Sequence, residues 1–290
     1  MIVCKFGGTS VQDAEAMTRV AQIIGARRDR QPVVVASAMG KTTNQLLEAA
    51  QTAAKGKRQE ALDLLSRIRD RHLREAQRLG IAVTEDRVHE TIQAYFKEMR
   101  DLAKGLAALG ELTPRITDAM ASYGERLSTM ILTQVLENQG LPAELMDARQ
   151  CIITDDNFTR ANPLFDLTEP AILEHFQPVL KSGRIPVFQG FIGRTRGGIT
   201  TTIGRGGSDY SAAIVGAALD AEDIEIWTDV DGIMTTDPRM VEDARRIKII
   251  SFDEAAELAY FGAKVLHPST IIPAIRKKIP VHVLNSYKPD

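Results

Sequence analysis

Three polar, glycine-bearing turns carry most of the chemistry legible in this sequence: Gly7-Gly8-Thr9-Ser10, Ser37 to Asn44, and Gly204-Arg205-Gly206-Gly207-Ser208-Asp209. Each follows an apolar run and precedes a helical pattern. Glycine lets the backbone approach an anion closely, and the unpaired N–H groups opening the next helix point at it, so such turns suit a phosphate or a carboxylate. Lys5 sits near the end of an apolar run, where an ammonium costs free energy unless it meets water or a counter-charge. A phosphate beside Gly7 and Gly8 would supply one, and so would an ion pair at a strand end. Arg205, between glycines, offers a fork that binds a carboxylate bidentately. Asp209 can cap the helix that follows, Glu125 can complement a helix dipole, and Thr228-Asp229-Val230-Asp231-Gly232 can form a solvated Asx turn. Repeated three times in one chain, each time beside Lys or Arg, the glycine turn makes phosphate chemistry as good a reading as plain tight turns.

Familiar motifs fail when tested directly. Gly40-Lys41-Thr42 has the end of a Walker A loop, but Val35 stands where its first glycine belongs. Gly204-Arg205-Gly206 opens like a dinucleotide fingerprint, yet Asp209 occupies the third glycine position. His89-Glu90 lacks the second histidine of a zinc protease, because residue 93 is Gln93, and no G-x-S-x-G elbow occurs. Cys4 and Cys151 are the only cysteines and form no C-x-x-C pair, which argues for a reducing compartment and against structural zinc. No residue set is expected to bind a metal by itself.

Thirty-eight carboxylates against 36 Lys and Arg leave a formal charge of -2, so no broad basic field exists to hold nucleic acid or an anionic membrane. The opening Met-Ile-Val-Cys-Lys is broken by a charge at once, and no run approaches the ~18 apolar residues of a membrane span. The expectation is a cytoplasmic chain with a small-molecule ligand. Its 290 residues, 44% hydrophobic and 26% charged, suffice for one large domain or two modest ones.

Elements must position these turns. Ile2 to Phe6 reads as a strand, followed by apolar residues at helical spacing through Val11, Met17, Val20, Ile23 and Ile24. Val33 to Ser37 repeats the strand pattern, and a helix begins at Gln45. From about 45 to 140 the composition predicts several helices, broken at Gly80, Gly105, Gly110 and Pro114. Strands return at Ala143 to Met146 and Ile185 to Phe191, with a helix from Pro170 to Leu180 between them. The stretch from Thr200 to Asp209, with its turn at Gly204 to Asp209, feeds a helix over Tyr210 to Leu219. Ile224 to Val230 is a strand, 252–261 and 270–278 are helices, and Val281 to Leu284 is a last strand. The alternation predicts an α/β fold, a mainly parallel central sheet covered on both faces, with ligands at the carboxyl ends of the strands.

These residues together resemble the catalytic region of aspartokinases, members of the amino acid kinase family, from residue 2 to about 288. Lys5-Phe6-Gly7-Gly8-Thr9-Ser10 is similar to that family's opening motif, Ser122-Tyr123-Gly124-Glu125 to its substrate helix, and Gly204 to Asp209 to its substrate loop. Trp227-Thr228-Asp229-Val230-Asp231-Gly232 with Thr235-Thr236-Asp237-Pro238-Arg239, then Phe261 to Pro268, resemble its nucleotide-binding segment. The resemblance implies a three-layer α/β/α amino acid kinase domain over 1–290. It would have a helical substrate-side insertion at about 45–140 and a nucleotide-binding half at about 200–290; relatives commonly continue into ACT-type regulatory domains, and none is expected within these 290 residues. It implies transfer of the ATP γ-phosphoryl group to the side-chain carboxylate of L-aspartate, the first step toward lysine, threonine and methionine, with Mg2+ held mainly through the nucleotide phosphates, and a homodimer.

In that reading Lys5 neutralises charge on the transferring group, Gly7, Gly8, Thr9 and Ser10 hold phosphates through backbone and hydroxyl donors, and Asp209 orients Lys5. Arg205 clamps a substrate carboxylate, Glu125 pairs with the amino group, and Ser37, Thr43, Gly206 and Ser208 complete the pocket. Thr228, Asp229, Arg239 and Lys264 fall on nucleotide-contacting positions. Met234 stands where relatives often carry an aromatic, which would alter packing near the nucleotide. Two alternatives stay open: an amino acid kinase fold acting on another acceptor, and a non-catalytic ligand-binding subunit. Arg205 with Glu125 argues for a free amino acid, and Lys5, Arg205 and Asp209 together argue for catalysis.

Overall fold

The structure is a computed structural model that describes residues 1–81, 87–236, 241, 243–260, 266 and 268–289. In chain order its elements are β1 (Ile2–Phe6), α1 (Ala14–Gly25), β2 (Pro32–Ala36), α2 (Thr42–Ala54), α3 (Arg58–Arg78), α4 (Arg87–Leu109), α5 (Pro114–Asn138), β3 (Ala143–Met146), α6 (Ala148–Cys151), β4 (Ile153–Thr154), α7 (Phe165–Lys181), β5 (Ile185–Gln189), β6 (Ile192–Thr195), β7 (Thr200–Thr202), α8 (Gly207–Ala218), β8 (Asp223–Thr228), α9 (Phe252–Tyr260), α10 (Ile272–Lys277) and β9 (Val281–Asn285). The main sheet runs β3-β5-β2-β1-β8-β9, and every pairing in it is parallel. β1, β2 and β5 are buried along their whole length, as strands covered on both faces must be.

Side-chain alternation along these strands builds two cores. Ile2, Cys4, Phe6, Val34 and Ala36 meet α1 and the helices after β2 on one face. Val3, Val33, Val35, Ile224 and Ile226 meet residues of α7 and α8 on the other. Lys5 shares the parity of Val3, so it leaves the sheet on the α8 side. This parity decides its partner.

α2 to α5 form the helical stretch that the composition predicts, with differences in punctuation. Gly80 and Gly110 adopt φ of +71° and +72° just beyond α3 and α4, and Pro114 opens α5 behind the Thr113 cap, whose hydroxyl accepts the Ile116 N–H at 3.3 Å. Gly105 breaks nothing; it lies on the exposed side of α4, whose opposite, apolar face of Phe96, Met99, Ala103 and Leu106 is buried and holds the helix. The helix expected from Pro170 starts earlier, at Phe165, because burial of Thr168 and Ile172 holds the turns around Pro170. The strand expected over Ile185 to Phe191 stops at Gln189. Thr200–Thr202 form β7, which joins β4 and β6 in a second, three-stranded sheet that the sequence pattern does not reveal. β4, β6 and β7, of two, four and three residues, leave too little pattern to read. Among the described residues no helix is long and apolar enough to cross a membrane.

Candidate active site

The carboxyl ends of β1, β2, β5 and β8 converge where the chain leaves β1 in both sheet directions, the switch point at which open α/β sheets bind ligands. Lys5 points there from β1. Its Nζ lies 2.6 Å from Asp209 Oδ1 in the first turn of α8, with the side chains only 10% and 16% exposed. The ion pair reading and the phosphate reading of Lys5 are therefore compatible: the ammonium is held by one carboxylate and still faces a cavity.

Backbone contacts fix the two glycine turns to each other. Gly7 N–H donates to the Trp227 carbonyl at 3.0 Å, and Gly40 N–H donates to the Gly8 carbonyl at 2.9 Å. A Cβ on Gly8 would lie 2.9 Å from Gly40 O and 3.1 Å from Ala38 O, so only glycine fits. On α5, Gly124 has the same role: a Cβ there would meet Ala38 Cβ at 2.8 Å and Thr43 Oγ1 at 3.1 Å. This close approach brings the next residue, Glu125, under the Ser37–Thr43 turn. Ser128 Oγ ties the helix to Ser37 O at 2.7 Å.

Glu125 is 4% exposed. Its Oε1 accepts the Ala38 N–H at 3.3 Å, while the buried Oε2 has no hydrogen-bond partner. Burial pushes its carboxyl up to about 8 against weaker opposing backbone hydrogen bonds. An orphaned acceptor of this kind fits an incoming ammonium, which would also restore the charged form.

A cavity of about 290 Å³ opens between these elements. Lys5, Ser37, Thr43 and Glu125 line one side; Arg205, Gly206, Ser208 and Asp209 line the other. The turn between β7 and α8 places the second group. Gly204 and Gly206 have φ of +82° and +71°, so the chain reverses tightly and exposes Arg205, which has no hydrogen bond or ion pair to another described residue. The site thus joins an exposed guanidinium, a buried carboxylate with an open oxygen, and a lysine beside a glycine turn. Such a set can grip a zwitterion at both ends while presenting a third group to a cation.

Phe191, Gly204 and Gly207 also line the cavity; the two glycines belong to the turn already singled out in the sequence, and Phe191 is the residue that the sequence does not reveal. Phe191 carries a φ of +69°, a conformation no propensity signals, and its ring packs so closely that a Cβ on Gly207 would lie 2.6 Å from it.

The positions expected at a nucleotide are distributed differently. Thr9 opens a short 3-10 turn with Ser10 and Val11. Ser10 is 1% exposed, and its donors are taken: its N–H by Gly7 O at 3.0 Å, its hydroxyl within reach of Trp227 O at 3.3 Å and Ser286 Oγ at 2.8 Å. The expectation that its hydroxyl serves a phosphate finds that group in the interior, bracing the turn. Thr228 and Asp229 end β8, their side-chain oxygens 3.2 Å apart. Met234 lines a separate cavity of about 560 Å³ with Trp227, Arg246 and Leu284. Arg239 and Lys264 lie outside the described residues. Among the described residues no cluster of three or more His, Cys, Asp or Glu could cage a metal, and Asp209 is engaged by Lys5.

Comparison with known proteins places the chain among kinases. The model of the amino acid kinase family matches residues 1–285. Aspartokinase 2, chloroplastic, of Arabidopsis thaliana is 42% identical over 292 residues, covering 99% of this chain and 52% of that protein. Lysine-sensitive aspartokinase 3 of Escherichia coli is 42% identical over 290 residues, covering all of this chain and 62% of that protein. The crystal structure of E. coli aspartokinase III in complex with aspartate and ADP superposes with a TM-score of 0.90 at 40% identity, again over 100% of this chain and 62% of that one. The chain therefore spans between about half and three-fifths of these relatives. Isopentenyl phosphate kinase, at 17% identity and a TM-score of 0.56, shares the fold alone.

Proposed function

This chain belongs to the amino acid kinase family, and from that premise we propose that it transfers the γ-phosphoryl group of ATP to the side-chain carboxylate of L-aspartate, giving 4-phospho-L-aspartate. One observation carries the reading: Glu125, Arg205 and Lys5 line the same cavity. Arg205 takes the α-carboxylate in a charge-assisted fork, the open Oε2 of Glu125 takes the α-ammonium, and the side-chain carboxylate is left facing Lys5 and the Gly7-Gly8 turn. A relative's crystal structure contains aspartate and ADP, which supports both substrates.

The nucleophile is already ionised at neutral pH, so no general base is needed, in keeping with a cavity that no histidine among the described residues lines. The work left to the protein is positioning and charge stabilisation. Lys5 stabilises charge that builds on the transferring group, and Asp209 holds its ammonium in place. Backbone donors around Gly7 and Gly8 lie beside the phosphates; Thr228, Asp229 and Met234 lie toward the rest of the nucleotide. Mg2+ bound by the phosphates supplies further charge neutralisation. The segment at about 45–140 and the Gly204–Asp209 turn then serve the acceptor, and the rest of 200–290 serves the nucleotide. A homodimer and a cytoplasmic location accompany the reading, the latter in keeping with two buried, unpaired thiols.

The test is a coupled assay with ATP, Mg2+ and a panel of acceptors, trapping acyl phosphate with hydroxylamine. Aspartate-dependent hydroxamate is expected. Faster turnover of glutamate, acetylglutamate, carbamate or UMP would move the chain to another acceptor within its fold.

A further inference from the structure

We propose that Asp118 is a positioning residue of the acceptor site, whose buried carboxylate locks β7 and the turn at Thr159 onto α5 and thereby fixes Arg205 opposite Glu125. The inference rests on the aspartate reading of the cavity. Asp118 does not line that cavity and touches no substrate there. It is 0% exposed, yet it is fully employed: Oδ2 accepts the N–H of Thr159 at 2.9 Å and of Thr202 at 3.0 Å, and Oδ1 accepts the Thr202 hydroxyl at 2.7 Å. A buried carboxylate with three donors from two other segments is costly to place and costly to break.

What it holds is strained. Thr159 has a φ of +71°, which a β-branched residue adopts only under constraint, and its N–H is one of the three donors. The same turn closes on β7 through Ala161 N–H to Thr202 O at 3.0 Å. It also abuts the next glycine: a Cβ on Gly204 would lie 3.4 Å from Arg160 Cγ and 3.6 Å from Thr159 O. Gly204 precedes Arg205 directly. Strand, turn and guanidinium thus move as one body, and Asp118 is its attachment to α5.

The other end of the link is Glu125. It follows Asp118 by seven residues, close to two helical turns, so both carboxylates leave the same side of α5 about 10 Å apart along the axis. Losing Asp118 would free the Arg205 side of the cavity from the Glu125 side while leaving Lys5 and the Gly7-Gly8 turn on the main sheet. The acceptor should suffer and the nucleotide should not.

Steady-state kinetics on the full chain test this with two variants. Asp118→Ala is expected to raise the aspartate KM by about tenfold or more while leaving the ATP KM and the kcat at saturating aspartate within about threefold. Asp118→Asn is expected to stay within about threefold of the parent throughout, because its carbonyl can accept both N–H groups and its amide can donate to Thr202 Oγ1. Joined to Arg205→Ala, Asp118→Ala should add less than its separate effect, since its route runs through Arg205. Should Asp118→Ala fail to fold, Thr202→Val removes one donor and should raise the aspartate KM by about three- to fivefold. An unchanged aspartate KM in the folded variant, equal rises for aspartate and ATP, or fully multiplicative effects with Arg205→Ala would overturn the proposal. Amide hydrogen exchange separates this failure from failure of the aspartate reading: faster exchange at 200–206 in Asp118→Ala supports the link whichever acceptor is used, and unaltered exchange overturns it.

Discussion

Lys5 and Arg205 bring like charge to one cavity and should fail in different ways when removed. In the proposed reaction Lys5 would act where charge develops, so Lys5→Ala is expected to lower kcat by ~100-fold or more with aspartate affinity largely kept. Arg205 would hold a group that does not react. Arg205→Ala should raise the aspartate KM by an amount corresponding to about 2 to 4 kcal/mol, with a smaller change in kcat. Initial-rate measurements at varied aspartate and ATP distinguish the two patterns, and equal turnover in Lys5→Ala would remove it from the mechanism. Glu125 adds a linked proton. With its carboxyl pushed up to about 8, it is mostly protonated at pH 7 without ligand. An aspartate ammonium would drive that proton off, and calorimetry in buffers of different ionisation enthalpy should find close to one proton released, none in Glu125→Gln.

At the scale of elements, the site depends on backbones pressed together. Gly8→Ala would force a Cβ to 2.9 Å from a carbonyl oxygen of the neighbouring turn, so it is expected to cost about 1 to 3 kcal/mol of stability and to lower kcat more than it raises the aspartate KM; denaturant melts with kinetics would show both. This interlocking also explains what the sequence could and could not reveal. β1, β2 and β8 were readable because buried runs announce themselves, and the residues at their carboxyl ends could be grouped from the glycines beside them. Ser37, Thr43, Glu125, Arg205, Gly206 and Ser208, grouped by the resemblance to aspartokinases, line one cavity. β4, β6 and β7 were too short to leave a period, and Phe191 and Thr159 take their backbone conformations from tertiary packing alone. Asp118 lies in an unremarkable helical stretch, and its importance appears only when Thr159 and Thr202 arrive from more than forty residues away.

For the molecule as a whole, two buried titratable groups set opposing slopes of stability against pH. His72 is fully buried, and desolvation lowers it to about 4 from 6.5, so the unfolded chain binds the extra proton and stability rises with pH across that range. Glu125 is raised to about 8 from 4.5, so the folded chain binds the extra proton and stability falls as pH rises between those values. Above pH 6.5 only the second slope remains. Urea denaturation of the ligand-free protein is expected to lose about 2 kcal/mol between pH 6.5 and 8, and Glu125→Gln should flatten that limb. The order of strands has a different consequence. β1 sits between β2 and β8, with Ile2 paired to Pro32 on one side and to Asp223 on the other. During synthesis one edge of this strand can be covered almost at once, but the other must wait roughly 10 to 45 s for its neighbour at 5–20 residues per second. Until β8 has been made, the N–H and C=O groups along the second edge of this buried strand have no native partner.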